Sequence, residues 1–263
     1  MKNIKYQFLS LLAMFVLSSC EKVIDLHLGN KSGQIVIEGD ISNVNGRQSV
    51  KLTTNVPFTN TNEYPPVRGA TVLITDNTGN SFALSETSPG AYSIESLTGI
   101  SGRTYTMDVT VTGKNYKASS TMPALVKLDS ITSKIAELDK KNRIITIHYQ
   151  DPGGIPNQYR LVMFVNDIQI KSVLAMNDDF NDGKYVHTDI QQDDIDIHSG
   201  DNIRVEMQCI DKTVYKYWLT LAQQQDNGAG GGVAPSDPPT NINPATLGYF
   251  SAHTTQTLSM IAR

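Results

Sequence analysis

The chain has 263 residues, 22 of them basic and 26 acidic, for a formal charge of −4. That is enough for two ordinary domains or one large one. With 39% hydrophobic and 18% charged residues it cannot be disordered throughout. The mildly acidic balance speaks against a nucleic-acid binder, and two Cys can build neither a disulfide framework nor a Cys-rich zinc site.

The N-terminus reads as an address. Lys2 and Lys5 form a positive start, and Phe8 to Leu17 is an apolar run too short for a bilayer core of about 30 Å. Leu17-Ser18-Ser19-Cys20 follows, an apolar residue and two small residues before a Cys, as in a bacterial lipobox. We expect a lipoprotein signal peptide over 1–19, a diacylglycerol on Cys20 and a lipid-anchored tether over 20–32. The plainer alternative is a free Cys in an ordinary secretory leader. Two or three acyl chains hold a protein on a membrane where a single myristoyl does not.

From Gln34 the chain reads as strands separated by turn chemistry. Gln34–Ile41 and Gln48–Thr54 flank Asn45-Gly46, residues that both accept positive φ. Ala70–Asp76 and Ser81–Ser85 flank Asn77-Thr78-Gly79, and Ala91–Ile94 follows Pro89-Gly90. In Tyr105–Thr112 the residues Tyr105, Met107, Val109 and Val111 fall on one face, the period of a half-buried strand. Gly113-Lys114 turns the chain into Asn115–Thr121. A boundary is expected at Met122-Pro123-Ala124. Ser130–Leu138 and Arg143–Tyr149 then flank Asp139–Asn142, and Gln158–Val165 and Ile168–Leu174 flank Asn166-Asp167. Lys184–Thr188 and Asn202–Ile210 are further strands. Lys212–Gln225 carries Val214, Tyr217, Trp218 and Leu221 at helical spacing, with Asp211 placed to cap it. Residues 226–244 are Gly/Pro-rich and should hold no regular core element. Leu247–Ala252 and Thr257–Ala262 close the chain as strands. The expected fold is all-β: two consecutive β-sandwich domains over 33–123 and 124–263, with helix 212–225 and loop 226–244 in the second.

Few residues carry chemistry. Cys209, in a strand-like run, reads as a buried structural thiol rather than a nucleophile. Trp218 reads as core packing rather than a ligand platform. Asp178, Asp179 and Asp182 lie in one acidic loop and Asp193, Asp194, Asp196 and Asp201 in the next. Neither Asp178 nor Asp179 starts an EF-hand pattern, so solvated loops are expected over a calcium site. No two of the five His share metal-ligand spacing on a helix, and His187 and His198 could pair with the acidic loops or join a metal site. A nucleophile elbow, a phosphate loop and a dinucleotide fingerprint are all missing. No catalytic residue, metal or cofactor is expected. The loop Val56–Val67 carries Phe58, Tyr64, Pro65 and Pro66, apolar residues that a solvated loop does not need. They are candidates for partner or ligand contact, with packing against the body as the alternative. Asn177–Gly183 and Asp226–Pro244 are further candidate contact loops.

Several segments together resemble a family. Cys20-Glu21-Lys22-Val23-Ile24-Asp25 looks like the mature start of Bacteroidota lipoproteins of domain-of-unknown-function family 4249. Ile35-Val36-Ile37-Glu38-Gly39, Val67 to Val72, Asp76 to Asn80, Gly90-Ala91-Tyr92, Tyr116 to Pro123 and Asp211 to Tyr217 follow in similar order. Pro238 to Ile242 and Leu247-Gly248-Tyr249-Phe250 complete the set. Val67–Tyr92 also resembles carboxypeptidase-regulatory or transthyretin-like modules, and the second half resembles a fibronectin-type, immunoglobulin-like sandwich. The family resemblance implies an outer-membrane lipoprotein beside a TonB-dependent transporter, with no established activity. Acidic Glu21 and Asp25 suit export to the cell surface, while Lys22 interrupts the pattern. The expectation is therefore a non-catalytic, lipid-anchored accessory protein of a TonB-dependent β-barrel. A free-standing glycan- or nutrient-binding lipoprotein is the alternative, and a surface glycosidase or peptidase the third reading.

Overall fold

The computed structural model describes residues 32–57, 63–137, 139–225 and 236–263. Cys20, the tether up to residue 31, Phe58 and residues 226–235 lie outside them. Residues 32–263 form one compact unit. Its elements are β1 (Ile35–Ser42), β2 (Gln48–Thr54), β3 (Thr71–Asp76), β4 (Ser81–Ser88), β5 (Ala91–Ile94), β6 (Thr104–Val111) and β7 (Lys114–Thr121). Then come β8 (Leu128–Ile135), β9 (Arg143–Gln150), β10 (Gln158–Val165), β11 (Ile168–Gln169), β12 (Leu174–Asn177), β13 (Tyr185–Asp189) and β14 (Asn202–Cys209). Helix α1 (Lys212–Gln225), β15 (Ile242–Asn243) and β16 (Leu247–Ile261) complete the chain.

The protein is all-β, in sandwich-like sheets with one helix near the C-terminus among the described residues. Strand alternation builds the cores. In β6, Tyr105, Met107, Val109 and Val111 are buried while their neighbours face outward. They pack against Ile37, Ile41, Val50 and Leu52 from β1 and β2. Strand β4 joins the two layers of this first core: its first half pairs with β3 and its second half with β5. A second core lies between β8–β9–β13 and β10–β14, with Ile147, Tyr149, Tyr159, Met163 and Val205 at its centre. Between β10 and β11, Asn166 and Asp167 have φ of 49° and 64°, the pair of positive values that a tight hairpin turn requires.

Strand β16 ties the cores together. Residues 247–253 run parallel to β1, and 254–261 run antiparallel to β14. Phe250 and Ala252 fill the first core, while Leu258, Met260 and Ala262 pack on the second. Two cores exist, then, but the C-terminal segment assigned by sequence to the second half also completes the first. The sequence reads Leu247–Ala252 and Thr257–Ala262 as separate strands. The polar link between them stays extended because Gln256 both donates to and accepts from the Leu128 backbone, at 3.0 Å each way.

Two further expectations are corrected. Ile168–Leu174 is not one strand. β11 pairs Phe164 with Gln169, whereas β12 pairs Leu161 with Leu174, so the edge carries two surplus residues. The backbone groups freed there find partners in side chains: Gln225 accepts from Val173 N and donates to Lys171 O, and Asp194 accepts from Ser172 N. The Gly/Pro-rich stretch also holds a core element after all. β15 pairs with β7, and Ile242 is buried in the first core. Asn241 makes this possible, because its amide accepts from Phe250 N and donates to Phe250 O, satisfying a β16 residue from within the loop.

Helix α1 spans the residues its periodicity predicts. Asp211 Oδ1 accepts from Thr213 N and Val214 N at 2.8 and 3.0 Å, a capped start. The other Asp211 oxygen accepts from Ser120 of β7, so the cap also links helix and first sandwich. Val214 is buried, and Tyr217 and Trp218 pack on Tyr249 of β16.

Candidate functional site

The candidate contact loop ends in a fixed segment. Thr54 N donates to Pro65 O and Val67 N to Leu52 O, both at 2.9 Å, and Pro66 bridges Thr53. Residues 65–67 therefore extend the sheet on the flank of β2 beyond the reach of β5. Pro suits such an edge, since it has no N–H to leave unpaired. Gly90 permits the approach: a Cβ there would lie 2.9 Å from Pro66 Cβ and 2.5 Å from Leu52 O. The Tyr92 hydroxyl closes the segment by donating to Val67 O and accepting from Ala70 N. With the backbone held, Tyr64 is 51% exposed, and Pro65 and Pro66 are exposed as well. Of the four residues that sequence singles out here, three share this outward-facing segment. Phe58 lies outside the described residues.

The acidic loops behave differently from one another. Asp194 holds Ser172, Asp201 caps the turn at His198, and Asp196 accepts from Asn142, so the second loop serves its own fold. Hydrogen bonds from Ser172 to Asp194, and from His198 and Asn166 to Asp201, hold both carboxyls below the usual carboxylate range. In the first loop, Asp178 and Asp182 meet Asp151, which follows β9. Their carboxylate oxygens lie within 4.8 Å of one another, with Asp151 and Asp178 buried and Asp182 exposed. Asp151 accepts from the Tyr159 hydroxyl and from Gly183 N. Asp178 accepts from Asn157 N and Asp182 from Gly154 N. Burial, with the bond to Asp151 adding to it, pushes the Tyr159 hydroxyl far above its usual range. Asp151 was not singled out by sequence, because its nearest acidic partners lie on a separate loop and only the strand pairing brings them together. Phe180, in the same loop, is 86% exposed.

Among the described residues, the His side chains form no metal constellation. His148 and His187 face each other across β9 and β13, Nδ1 to Nδ1 at 2.7 Å, and His148 Nε2 meets Thr132 Oγ1 at 2.7 Å. Burial, reinforced by the neighbouring His187, lowers the pKa of His148. His198 sits 3.9 Å from Asp201, as expected of a His beside the acidic loops.

One cluster has the residue types of a hydrolase triad, which sequence did not suggest. Ser251 Oγ lies 3.1 Å from His253 Nδ1, and Asp40 Oδ1 lies 3.9 Å from the same nitrogen. A working triad needs the serine on one ring nitrogen and the carboxylate on the other, so that the base is oriented while it accepts the proton. Here both face Nδ1. Ser251 and His253 are also buried, at 2% and 4% exposure. Beside them, Tyr249 donates to Asp40 at 3.0 Å, and the Arg160 guanidinium stacks over Trp218 at 3.6 Å. Trp218, partly buried, thus packs between the Arg160 guanidinium and the rings of Tyr217 and Tyr249. Cys209 is buried, accepts from Val126 N at 3.3 Å, and has its pKa raised by burial, so it is an inert thiol.

A family model described as "Domain of unknown function (DUF4249)" matches residues 21–259. No curated protein matches the chain. Among solved structures, a two-domain fibronectin type III segment from chicken tenascin is similar at 11% identity, covering 68% of this chain and 90% of that one, with a TM-score of 0.22.

Proposed function

This chain belongs to the DUF4249 family, and on that footing we propose that it is a lipid-anchored, non-catalytic accessory protein of a TonB-dependent outer-membrane transporter, acting by contact. The observation that carries the reading is the segment Tyr64-Pro65-Pro66. Pro65 and Pro66 are clamped to β2, and the apolar side chains of all three residues are exposed. A surface held in advance loses little conformational entropy on docking, and Tyr is among the residue types that dominate interface hot spots. A lipid on Cys20 would keep this surface close to the bilayer, so modest affinity for an integral partner would suffice. The misaligned Ser251–His253–Asp40 cluster and the inert Cys209 support a role without bond chemistry. Among the described residues no helix is long and apolar enough to cross a membrane.

The test is a detergent pull-down of the tagged full chain from its native membrane, with mass spectrometry of what is retained. A TonB-dependent β-barrel at stoichiometric yield is the expected result. A Tyr64→Asp variant should lower that yield at least about tenfold without changing thermal stability, because the side chain is exposed. Recovery of the protein alone, in detergents that preserve barrel–lipoprotein pairs, would sink the accessory role and favour independent nutrient or glycan binding.

A further inference from the structure

We propose that Asp151, Asp178, Asp182 and Asn157 form a calcium site at one end of the second core. Strand alternation places three of them. Asp151 stands two residues beyond Tyr149, Asp178 two beyond Met176, and Asn157 two before Tyr159. Tyr149, Met176 and Tyr159 all pack in the second core. Side chains two apart on a strand share a face. Asp151, Asp178 and Asn157 therefore continue the interior of the sandwich past its last apolar layer. Asn157 and Asp178 are also cross-strand neighbours, joined by a backbone bond of 3.2 Å that extends the β10–β12 ladder by one residue.

Three carboxylates within 4.8 Å repel one another, and none of them has a cationic partner among the described ion pairs. The nearest lysine in sequence, Lys184, donates to Phe180 O instead. The independent observation is Asn157. It is 6% exposed, yet its amide oxygen is buried without any hydrogen-bond partner. A buried carbonyl oxygen left without a partner is destabilising unless something accepts its lone pairs. A cation between that oxygen and the three carboxylates would satisfy it and neutralise the cluster together. The donor set is oxygen only, which selects a hard cation, and assembly from protein side chains rather than water suits Ca²⁺ over Mg²⁺. Such an ion would pin loop 151–157 to loop 177–183 and so fix the display of the exposed Ile155 and Phe180.

The experiment uses the full chain, stripped with EDTA and dialysed. CaCl2 is titrated in by calorimetry, and thermal melts are recorded with and without 2 mM Ca²⁺ or Mg²⁺. A single calcium site is expected, with Tm raised by more than about 3 °C in Ca²⁺ and by less than a third of that in Mg²⁺. Asp182 is exposed, so Asp182→Asn should fold normally, melt like the stripped wild type, and bind Ca²⁺ at least about tenfold more weakly. No heat and no shift in Tm would overturn the proposal. So would equal stabilisation by Mg²⁺, or an Asp182→Asn variant that binds Ca²⁺ as tightly as wild type. These readouts involve neither membrane nor transporter, so they stand or fall apart from the accessory role.

Discussion

His253 shows what a single buried side chain does to the pH range of this fold. Its burial lowers its pKa from 6.5 to about 4, with Glu206 pulling it up and Arg160 pushing it down. Above pH 6.5 the imidazole is neutral whether the chain is folded or not, and it costs nothing. As pH falls from 6.5 towards 4, the unfolded chain takes up a proton that the folded chain refuses, so stability declines. Below 4 the loss is complete, at about 3 kcal/mol. Denaturant midpoints at pH 7, 5.5 and 4.5 should show this decline, and His253→Gln should flatten it. Hydrogen-bonded carboxylates such as Asp194 and Asp201, whose pKa values are lowered, lose their contribution only at more acid pH. The sequence did not announce His253, since a His among Thr and Ala residues reads as an ordinary strand position. Asp151 was hidden for a similar reason. Its partnership with Asp178 exists only because β9 and β12 end at the same edge of one core. By contrast, Tyr64 and Pro65 were legible as surplus apolar residues in a loop, a local property that needs no pairing to be seen.

In the parallel pairing of β1 and β16, Ile37 stands opposite Gly248. Gly248 has φ of +101°, and a Cβ there would sit 1.9 Å from Ile37 O. Only glycine fits a backbone contact of that kind. Gly248→Ala should therefore cost about 4 kcal/mol or more, read as a fall in the denaturant midpoint, because neither strand can retreat without breaking its ladder. Most strands were readable, because alternation and turn residues such as Asn45-Gly46 and Asn166-Asp167 are local signals. What escaped were elements defined by a partner: the surplus residues between β11 and β12, rescued by the Gln225 amide, and β15, which exists because Asn241 fastens it to Phe250. Helix α1 was fully legible, since its apolar spacing and its Asp211 cap both lie within one stretch of chain.

At the level of the whole molecule, the proposed anchor makes its own prediction. Cys20→Ala should leave the protein folded and move it from the membrane pellet to the supernatant after fractionation; a variant that still pellets would sink the lipid-anchor account. The shared strand has a further consequence, for the order of events in folding. Ile35 and Thr246, whose side chain donates to the Ile35 carbonyl, stand 211 residues apart. A chain delivered from its N-terminus reaches β16 last, yet both cores need that strand. The first half cannot mature while the second is still arriving, and contacts of such long sequence separation form slowly. Synthesis of β16 therefore sets the moment at which the whole body closes, and a chain cut short before residue 247 is expected to lose both sandwiches together, which far-UV CD of such a truncation would check.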